Sequence, residues 1–356
     1  MNLLFVKMIF KKLKLGKLNL ENRIVVSPMC QYSSNNGSPS SWHYQHLGKL
    51  ALSGAGKMMI ESTAINKTGK ITHKDLCLFN DAHEKNFKRL VKFIKNISNI
   101  KVGIQISHAG RKGSAYVPWE RANTPLKNKK KWKTVAPSSV KKDKDWPIPN
   151  ELSIKKINKL KIDFKNCSIR AKKVGFDCLE IHMAHGYLLH EFFSPISNLR
   201  TDKYGGNLTN RARLLIEIAE IIRKIWPKNR ILGARITGID HMKKGISIKD
   251  SKFLTKKLEE IGFDYICISS GGIISKTKLK SFRGFRANIA YKIKKNSKIK
   301  IRTSGMIDDL NFIEKILKQK KCDFVAVGRK FLLDPQWLQK TTYGKKFFIP
   351  NQYKRG

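Results

Sequence analysis

Short apolar runs alternate with longer amphipathic segments along most of the chain. Each run is a few residues long, is rich in Ile and Val, and ends in polar or glycine-rich residues. Such runs are typical of buried strands, and the segments between them have the periodicity of helices. The predicted strands are 24–26, 58–60, 102–106, 176–181, 231–236, 265–268, 299–302 and 323–327. The clearest predicted helices are 42–52, 87–97, 155–173, 211–225 and 249–261.

Eight strand–helix units in one chain predict an α/β fold, a parallel sheet closed into a (β/α)8 or TIM barrel. Leucines alternating over 13–20 around a glycine predict a short β-hairpin ahead of the barrel. The segment 113–150, after the third strand, shows no convincing helix or strand, and we interpret it as a loop on the active-site side. Residues 188–209 are also predicted to be irregular. One domain over 1–356 is expected, with 1–10 as a loosely held extension.

The chain is strongly basic, with a formal net charge of +47 over 356 residues. A basic protein of this size invites a nucleic-acid interpretation. The excess, however, is mostly Lys spread through the predicted helices, as in Lys155-Lys156, Lys172-Lys173 and Lys256-Lys257. We therefore interpret it as solvated helix faces rather than a specific nucleic-acid site. Non-specific attraction of anions at low salt is still expected.

Compartment and membrane signals point to a cytoplasmic protein with no membrane partner. No run approaches the roughly 18–20 apolar residues of a membrane span. The N-terminal segment is interrupted by Lys7 and lacks a small-residue cleavage site, which argues against a signal peptide. The six cysteines are scattered without metal-ligand spacing, as expected for free thiols in a reducing compartment.

The stretch 175–187 carries the clearest chemistry. Its apolar run ends at His182, His185 and Tyr187, where the chain leaves the predicted strand and core packing no longer explains the side chains. A zinc site would need a third ligand, which nothing adjacent supplies, so no metal is expected. A structural role, with each His bonded to a backbone carbonyl, stays open. The alternative is two hydrogen-bond donors for a substrate oxygen plus a Tyr that delivers a proton.

Two loops near the C-terminal end have the composition of a phosphate site. Ser304-Gly305 follows the seventh predicted strand, and Gly328-Arg329 follows the eighth. Small residues expose backbone N–H groups, and an arginine binds an oxyanion through two parallel hydrogen bonds. Ordinary glycine turns are the alternative, but the loops after strands seven and eight are the usual phosphate position in this architecture.

Buried polar residues suggest a planar ring beside that phosphate. Gln105 and Arg235 lie inside apolar runs and need partners, because an unpaired charge there is costly. An ion pair of the Glu61–Arg235 kind would satisfy the arginine; a heterocycle with several acceptors would satisfy both residues. Together with the phosphate loops, the second interpretation indicates flavin mononucleotide (FMN) across the barrel mouth. Cys30, after the first strand, is then either an apolar filler or a thiol that tunes the flavin, and Tyr32 is placed to close over a substrate.

These residues together resemble the Old Yellow Enzyme family of FMN-dependent ene-reductases (NADH:flavin oxidoreductase/NADH oxidase), in particular its bacterial thermophile-type branch. The resemblance spans nearly the whole chain in family order. Its matching segments are 27–34, 105–112, 182–188, 194–206, 327–329 and 352–356.

The resemblance implies a role for each candidate residue. Those that line or hold FMN are Ser27, Pro28, Met29, Cys30, Ser62, Gln105, Arg235, Ser304, Gly305, Gly328 and Arg329, with Cys30 tuning the flavin and Ser62 standing where this branch usually has a small Ala. His182 and His185 would bind the substrate carbonyl, Tyr187 would protonate its α-carbon, and Tyr32 would contact the substrate. Arg355, in a tail over 345–356, would reach a neighbouring subunit's active site and implies a homo-oligomer, a dimer or a tetramer.

The implied activity is NADPH dehydrogenase or ene-reductase chemistry, in which NADPH or NADH reduces FMN and an enone, quinone or nitro compound reoxidises it. A dienoyl-CoA reductase or amine dehydrogenase begins with a similar barrel, but carries an iron–sulfur Cys cluster and further domains that we do not expect here. A tRNA-dihydrouridine synthase would suit the charge, yet uses a Cys on another loop and an extra helical domain. A non-catalytic nucleic-acid-binding barrel is the third alternative.

Overall fold

Eight parallel strands close into one barrel in this computed structural model, which describes residues 8–275, 281–341 and 350–353. The strands of the chain are β1 (Leu13–Leu15), β2 (Leu18–Leu20), β3 (Ile24–Val26), β4 (Lys57–Ala64), β5 (Lys101–Ser107), β6 (Val135–Ala136), β7 (Asn150–Glu151), β8 (Cys178–Met183), β9 (Ile231–Thr237), β10 (Tyr265–Ser269), β11 (Lys300–Thr303) and β12 (Phe324–Val327). The barrel runs β3-β4-β5-β8-β9-β10-β11-β12 and closes where β12 pairs with β3. The predicted (β/α)8 fold is confirmed.

Helices follow the strands along the chain. They are α1 (Ser41–Ala51), α2 (Asp81–Ile97), α3 (Pro118–Arg121), α4 (Ile154–Val174), α5 (Leu188–Phe193), α6 (Leu208–Ile225), α7 (Ile248–Ile261), α8 (Ala287–Lys294), α9 (Leu310–Lys318), α10 (Arg329–Leu333) and α11 (Trp337–Thr341). Where a helix lies against the barrel its apolar stripe is buried, as with Phe164 and Cys167 of α4. No helix among the described residues is long and apolar enough to cross a membrane.

Side chains on the barrel strands alternate in direction, so that apolar residues face the helices and polar residues face the barrel interior. On β8, Leu179 and Ile181 belong to the apolar cluster shared with the helices. The residues between them point into the barrel, where Glu180 meets partners from three other strands. Successive side chains of a strand face opposite sides, so a run that reads as almost wholly buried still delivers polar groups to the interior.

The N-terminal hairpin, predicted from its leucines, closes the barrel at the end where the strands begin. β1 and β2 pair in antiparallel register, Leu13 with Leu20. Both leucines pack in one cluster with Tyr265 and Phe324 from inside the barrel. The mouth at the opposite end, where the strands finish, is therefore the open one.

Four segments differ from the sequence predictions. The 113–150 segment contains α3 and β6 and the first residue of β7, because Pro118 starts a helical turn and β6 pairs with β7. The 188–209 segment contains α5, whose residues are all buried and therefore show no helical periodicity. β4 extends to Ala64, beyond the predicted 58–60.

The fourth difference is at the N-terminus. Residues 1–7 lie outside the described residues, but Ile9 is fully buried. The backbone N–H groups of Met8 and Ile9 donate to the Glu314 carboxylate at 3.2 and 3.1 Å. Residues 8–10 are therefore held to α9 rather than loosely attached.

Candidate active site

Two histidines contact each other at the mouth end of β8. His182 lies in the strand and is 2 % exposed, and His185 lies in the following turn and is half-buried. His182 Nε2 is 3.1 Å from His185 Nδ1, and His185 Nε2 is 2.5 Å from Ser269 Oγ at the end of β10. Burial lowers the pKa of both rings well below the ordinary value, with Arg235 adding to the effect. Both imidazoles are therefore neutral at pH 7.

Tyr187 packs directly against this pair. Its ring centroid is 4.6 Å from that of His182 and 6.5 Å from that of His185. Burial, and then the neighbouring Cys30, raise the pKa of the Tyr187 phenol well above its ordinary value. A phenol in this environment keeps its proton at neutral pH, so it is available as a proton donor rather than a base.

The backbone around the pair is held in an uncommon conformation. His185 has a φ of +60°, in the left-handed region that costs a side-chain-bearing residue energy. The loop after β10 approaches so closely that a Cβ at Gly272 would lie 2.9 Å from His185 Cα. Lys112 Nζ then donates to the carbonyl oxygens of both residues, at 2.7 and 3.2 Å. Burial, followed by the nearby Lys142, lowers the pKa of Lys112 to about 7.

Cys30 and Tyr32, from the loop after β3, lie beside Tyr187. Burial, and then the Cys30 and Tyr187 neighbours, raise the pKa of Tyr32. Burial, and then Glu61, raise the pKa of Cys30 well above its ordinary value, so it is a neutral thiol rather than a reactive thiolate. Tyr32 has a φ of +47° and makes an edge contact with Trp119 of α3, at 6.1 Å between ring centroids. The segment after β5 therefore contacts the loop after β3 through Trp119.

A cavity of about 460 Å³ adjoins this group at the ends of β3, β11 and β12. Its lining includes eight of the residues predicted to contact FMN: Ser27, Pro28, Met29, Arg235, Ser304, Gly305, Gly328 and Arg329. Gly328 is packed so that a Cβ there would meet Met29 Sδ at 3.3 Å. The structure thus brings the two predicted phosphate loops together with the segment after the first barrel strand.

Arg286, just before α8, also lines this cavity and was missed from the sequence. It stacks on Phe285 and donates to Ser270 Oγ at 3.2 Å. Burial, followed by Arg235 and then Arg329, lowers its pKa to about 10. Arg286 is recognisable as a site residue only because it lines the same cavity as Arg235 and Arg329, and the three meet only after folding.

The cavity is suited to an anionic group. Within the described residues, none of Arg235, Arg286 and Arg329 has a carboxylate within 4 Å. The buried Arg235 Nε and Ser304 Oγ also have no hydrogen-bond partner there. Buried donors of this kind are costly unless a ligand satisfies them. A phosphate and an acceptor-rich ring would satisfy them, so the residues present fit FMN.

Gln105 and Ser62 lie deeper, on neighbouring strands. The register pairs Ser62 of β4 with Gln105 of β5, and Gln105 with Glu180 of β8. Gln105 Nε2 donates to Glu180 Oε1 at 2.7 Å. Because a carboxylate only accepts, this bond orients the amide and leaves Gln105 Oε1 as an acceptor for another group.

Glu180 is the centre of a buried network that sequence analysis did not assign. It accepts from Tyr265 Oη at 2.6 Å and forms an ion pair with Arg302, and both charged side chains are fully buried. Burial alone would raise the pKa of Glu180, but Arg302 holds it below the ordinary value. The signal, a polar side chain inside an apolar run, was the one used for Gln105 and Arg235.

The alternative ion pair between Glu61 and Arg235 is not formed. Glu61 instead accepts from the backbone N–H of Gln31 at 3.1 Å and lies 3.7 Å from His43 Nε2. Arg235 is placed by the register between His182 and Cys267, on the cofactor side of the interior. Arg355 and most of the 345–356 tail lie outside the described residues.

Comparison with known proteins shows the family of the chain. The model of the NADH:flavin oxidoreductase / NADH oxidase family matches residues 8–347. An NADPH dehydrogenase of Bacillus subtilis (strain 168) is 35% identical over 352 residues, which cover 98% of each chain.

Solved structures support the fold. Morphinone reductase superposes with a TM-score of 0.80 at 23% identity, over 95% of this chain and 90% of that one. A 2-naphthoyl-CoA reductase complex superposes with a TM-score of 0.85 at 23% identity; the match covers 95% of this chain but spans only 52% of that chain. On the family match and the full-length relative, the chain belongs to the NADH:flavin oxidoreductase / NADH oxidase family, the Old Yellow Enzyme family expected from its motifs, and is an FMN-dependent, NAD(P)H-linked oxidoreductase.

Proposed function

We propose that this protein is an ene-reductase that reduces the C=C bond of α,β-unsaturated carbonyl compounds with NADPH as the electron source. The observation that carries the proposal is the His182–His185 pair, whose facing nitrogens lie 3.1 Å apart beside the ring of Tyr187. Two imidazole N–H groups can donate hydrogen bonds to a carbonyl oxygen, and a protonated phenol next to them can donate a proton to the α-carbon. The names of the curated relatives, NADPH dehydrogenases, support NADPH as reductant.

The cofactor site assigns a task to each group around it. The residues that would hold the phosphate are Ser304, Gly305, Gly328, Arg329 and Arg286. Those that would contact the ring are Arg235, Gln105 and Ser62. The cofactor would also be lined by Ser27, Pro28, Met29 and Cys30. FMN bound there would supply the redox chemistry, hydride transfer between NADPH and the substrate.

Substrate activation falls to the chain's own residues. Hydrogen bonds from His182 and His185 to the carbonyl oxygen draw electron density from the β-carbon, which then accepts the hydride. Tyr187 donates its proton to the α-carbon, so the C=C bond becomes C–C with one hydrogen added at each end. Tyr32, held against Trp119, covers the substrate from the loop side. Quinones and nitro compounds, which also carry an oxygen for the pair to bind, belong to the proposed substrate range.

Membership of the thermophile-type branch is part of the proposal. Cys30 and Tyr32 beside Tyr187 support it, together with the tail sequence that contains Arg355. That branch implies a homo-oligomer in which Arg355 serves a neighbouring subunit's site. A cytoplasmic location is proposed from the sequence alone.

The test isolates the step that needs the histidines. Enzyme chemically reduced with dithionite is mixed with 2-cyclohexenone, and reoxidation is followed by absorbance. Replacing both histidines in His182→Gln/His185→Gln should slow this step by at least about 100-fold, because removing a single such donor already costs about that much. His46→Gln, on α1, is the matched control and should react normally, because His46 is not part of the pair. Equal rates in the wild type and the double variant would contradict the proposal.

A further inference from the structure

Hydrogen bonds around His182 determine which of its nitrogens carries the proton. The backbone N–H of Ala184 donates to His182 Nδ1 at 3.2 Å. A ring nitrogen that accepts a hydrogen bond is unprotonated, so the single proton of a neutral His182 lies on Nε2. Among the described residues, the hydrogen-bond partner of His182 Nε2 is His185 Nδ1 at 3.1 Å, so Nε2 donates to it.

The same reasoning carries on to His185. Because its Nδ1 accepts from His182, its own proton lies on Nε2, which points at Ser269 Oγ at 2.5 Å. The result is a directed chain from Ala184 N–H through both rings to the serine. Ser269 is fully buried, and among the described residues its hydroxyl has no other hydrogen-bond partner.

This arrangement presents only one N–H where a carbonyl oxygen needs two. With the proton of His185 on Nε2, its Nδ1 is a lone pair facing the substrate position. A hydroxyl, however, both donates and accepts and rotates freely between the two roles. If Ser269 donates instead, Nε2 becomes the acceptor and the proton of His185 belongs on Nδ1.

We propose that Ser269 is a positioning residue that sets the tautomer of His185, accepting from Nε2–H in the empty site and donating to Nε2 when a carbonyl oxygen is bound. In the bound state His182 Nε2–H and His185 Nδ1–H both point at the substrate oxygen. His185 remains neutral throughout, because water takes the proton from Nε2 and delivers one to Nδ1, so each tautomer carries a single proton. This inference rests on the proposed function, since the carbonyl oxygen is what calls for the second donor.

The residues around Ser269 and His185 keep the serine hydroxyl in contact with the imidazole. Ser269 ends β10, where the register pairs it with Thr237 of β9. Thr237 Oγ1 in turn lies 3.4 Å from the backbone N–H of His185. With Gly272 packed against the His185 backbone from the loop after β10, the imidazole has little freedom to turn away from Ser269.

The experiment reads the tautomers directly by long-range ¹H–¹⁵N NMR on oxidised holoenzyme labelled with ¹⁵N-histidine. His182→Gln and His185→Gln assign the two signals. The free enzyme should show Nε2–H on both rings. Adding 2-cyclohexenone, which is not consumed while no reductant is present, should move His185 to Nδ1–H and leave His182 unchanged. An Nδ1–H tautomer of His185 in the free enzyme, or no change with bound enone, would overturn the inference.

Serine variants separate positioning from a general structural role. In Ser269→Ala the bound state loses the donor to His185 Nε2, so the dissociation constant of 2-cyclohexenone should rise by about three- to tenfold. Ser269→Thr keeps the hydroxyl and should restore both the affinity and the tautomer change. Ser168→Ala removes another fully buried serine hydroxyl, one bonded within α4, and should alter neither.

The outcomes also distinguish the two proposals. A wild type that shows the free-state pattern but never binds the enone would contradict the proposed function and the exchange, while leaving Ser269 as the residue that fixes His185. Unchanged enone affinity and tautomers in Ser269→Ala would overturn the role of Ser269 while leaving the ene-reductase activity intact. If Ser269→Ala does not fold, the wild-type tautomers and Ser269→Thr still decide the question.

Discussion

At the scale of single residues, the site depends on groups that are kept neutral. His182 and His185 are neutral because burial opposes a second proton, and Tyr187 is neutral because burial opposes losing its proton. Neutral donors polarise a carbonyl without placing a charge in the protein interior, where an unpaired charge is costly. Electrostatics and chemistry therefore agree on the roles of these three side chains.

Tyr187→Phe tests the proton donor. It removes the phenolic proton but preserves the ring contact with His182. Oxidation of the reduced enzyme by 2-cyclohexenone should slow by about 10²- to 10⁴-fold, because this half-reaction adds a proton to a carbon atom. Reduction by NADPH needs no such proton and should be unchanged. Stopped-flow absorbance measures both half-reactions, with Tyr44→Phe on α1 as control. Equal losses in the two would remove the assignment.

Acid stability tests the neutral histidines. Below a pH of about 6.5 the unfolded chain protonates both rings while the folded chain does not, so acid favours unfolding. Each ring should contribute about 1.4 kcal/mol of lost stability per pH unit as the pH falls from about 6.5 towards the folded pKa. Urea titrations between about pH 7.5 and 5 should therefore show a shallower loss in His182→Gln/His185→Gln than in the wild type. Parallel curves would mean that the folded rings titrate normally.

Sequence alone found those residues because they stand where an apolar strand ends. It did not find Ser269, since a serine at a strand end carries no signal until the fold places it 2.5 Å from an imidazole. It singled out Gln105 as a buried polar residue in need of a partner, but the partner that orients its amide, Glu180, lies 75 positions away. Contacts between side chains on different strands depend on register, which local patterns do not determine.

At the scale of elements, β8 and β11 are joined through the barrel interior by Glu180 and Arg302. The pair is fully buried, and Tyr265 and Gln105 complete the carboxylate's hydrogen bonds. A buried pair is a weak source of net stability, but leaving one member without the other is expensive. Its role here is to hold the amide of Gln105 in one orientation, because Gln105 Nε2 donates to Glu180.

Glu180→Gln tests how strongly the stability of the barrel depends on the Glu180–Arg302 ion pair. It leaves the Arg302 charge buried without a counterion, and the free energy of unfolding should fall by about 3–5 kcal/mol. Glu260→Gln makes the same change in a solvent-exposed ion pair with Lys257, where water screens the charges, and should cost far less. Urea unfolding of both variants measures the difference, and similar losses in the two would show that the interior pair is not structurally demanding.

The segment before α8 brings Arg286 into the cavity, and its removal tests the anion site. Arg286→Gln should weaken FMN binding by about 10- to 100-fold, the usual value of one charge-assisted hydrogen bond. Arg283→Gln is the matched control, because Arg283 is exposed and paired with Asp308 at 3.3 Å. Fluorescence titration of apoprotein with FMN gives both constants. Identical affinities would remove Arg286 from the cofactor site.

Element boundaries were predictable only where periodicity was visible. The long helices α4 and α6 were placed closely, because one face of each is apolar and the other charged. α5 was missed because it is buried all round, and β4 was cut short because Glu61 and Ser62 read as a loop. Both errors concern polar or uniformly buried residues near the barrel mouth, where function rather than packing selects the side chains.

At the scale of the whole molecule, the fold followed from the alternation of eight strand–helix units, a signal repeated often enough to survive errors in single elements. The mouth then gathers residues from strands far apart in the chain. Oligomeric state and the role of Arg355 remain predictions, since they concern a partner and a tail beyond the described ranges.

The charge of +47 also belongs to this scale. We predict that RNA binds without sequence preference and that its affinity falls steeply between about 50 and about 200 mM salt, as expected for counterion release from scattered lysines. Filter binding with two unrelated RNAs across this range is the measurement. Binding that is selective for one RNA and survives about 200 mM salt would instead favour an RNA-acting flavoprotein.

The central claim is that the barrel mouth holds FMN and passes electrons from NADPH to an enone. Its most direct test is the visible spectrum of the purified protein under anaerobic conditions, recorded before and after NADPH and again after 2-cyclohexenone. The account predicts a yellow protein that bleaches with NADPH and regains its colour with the enone. A colourless protein that cannot be reconstituted with FMN, or a bleached one that the enone leaves unchanged, would contradict it.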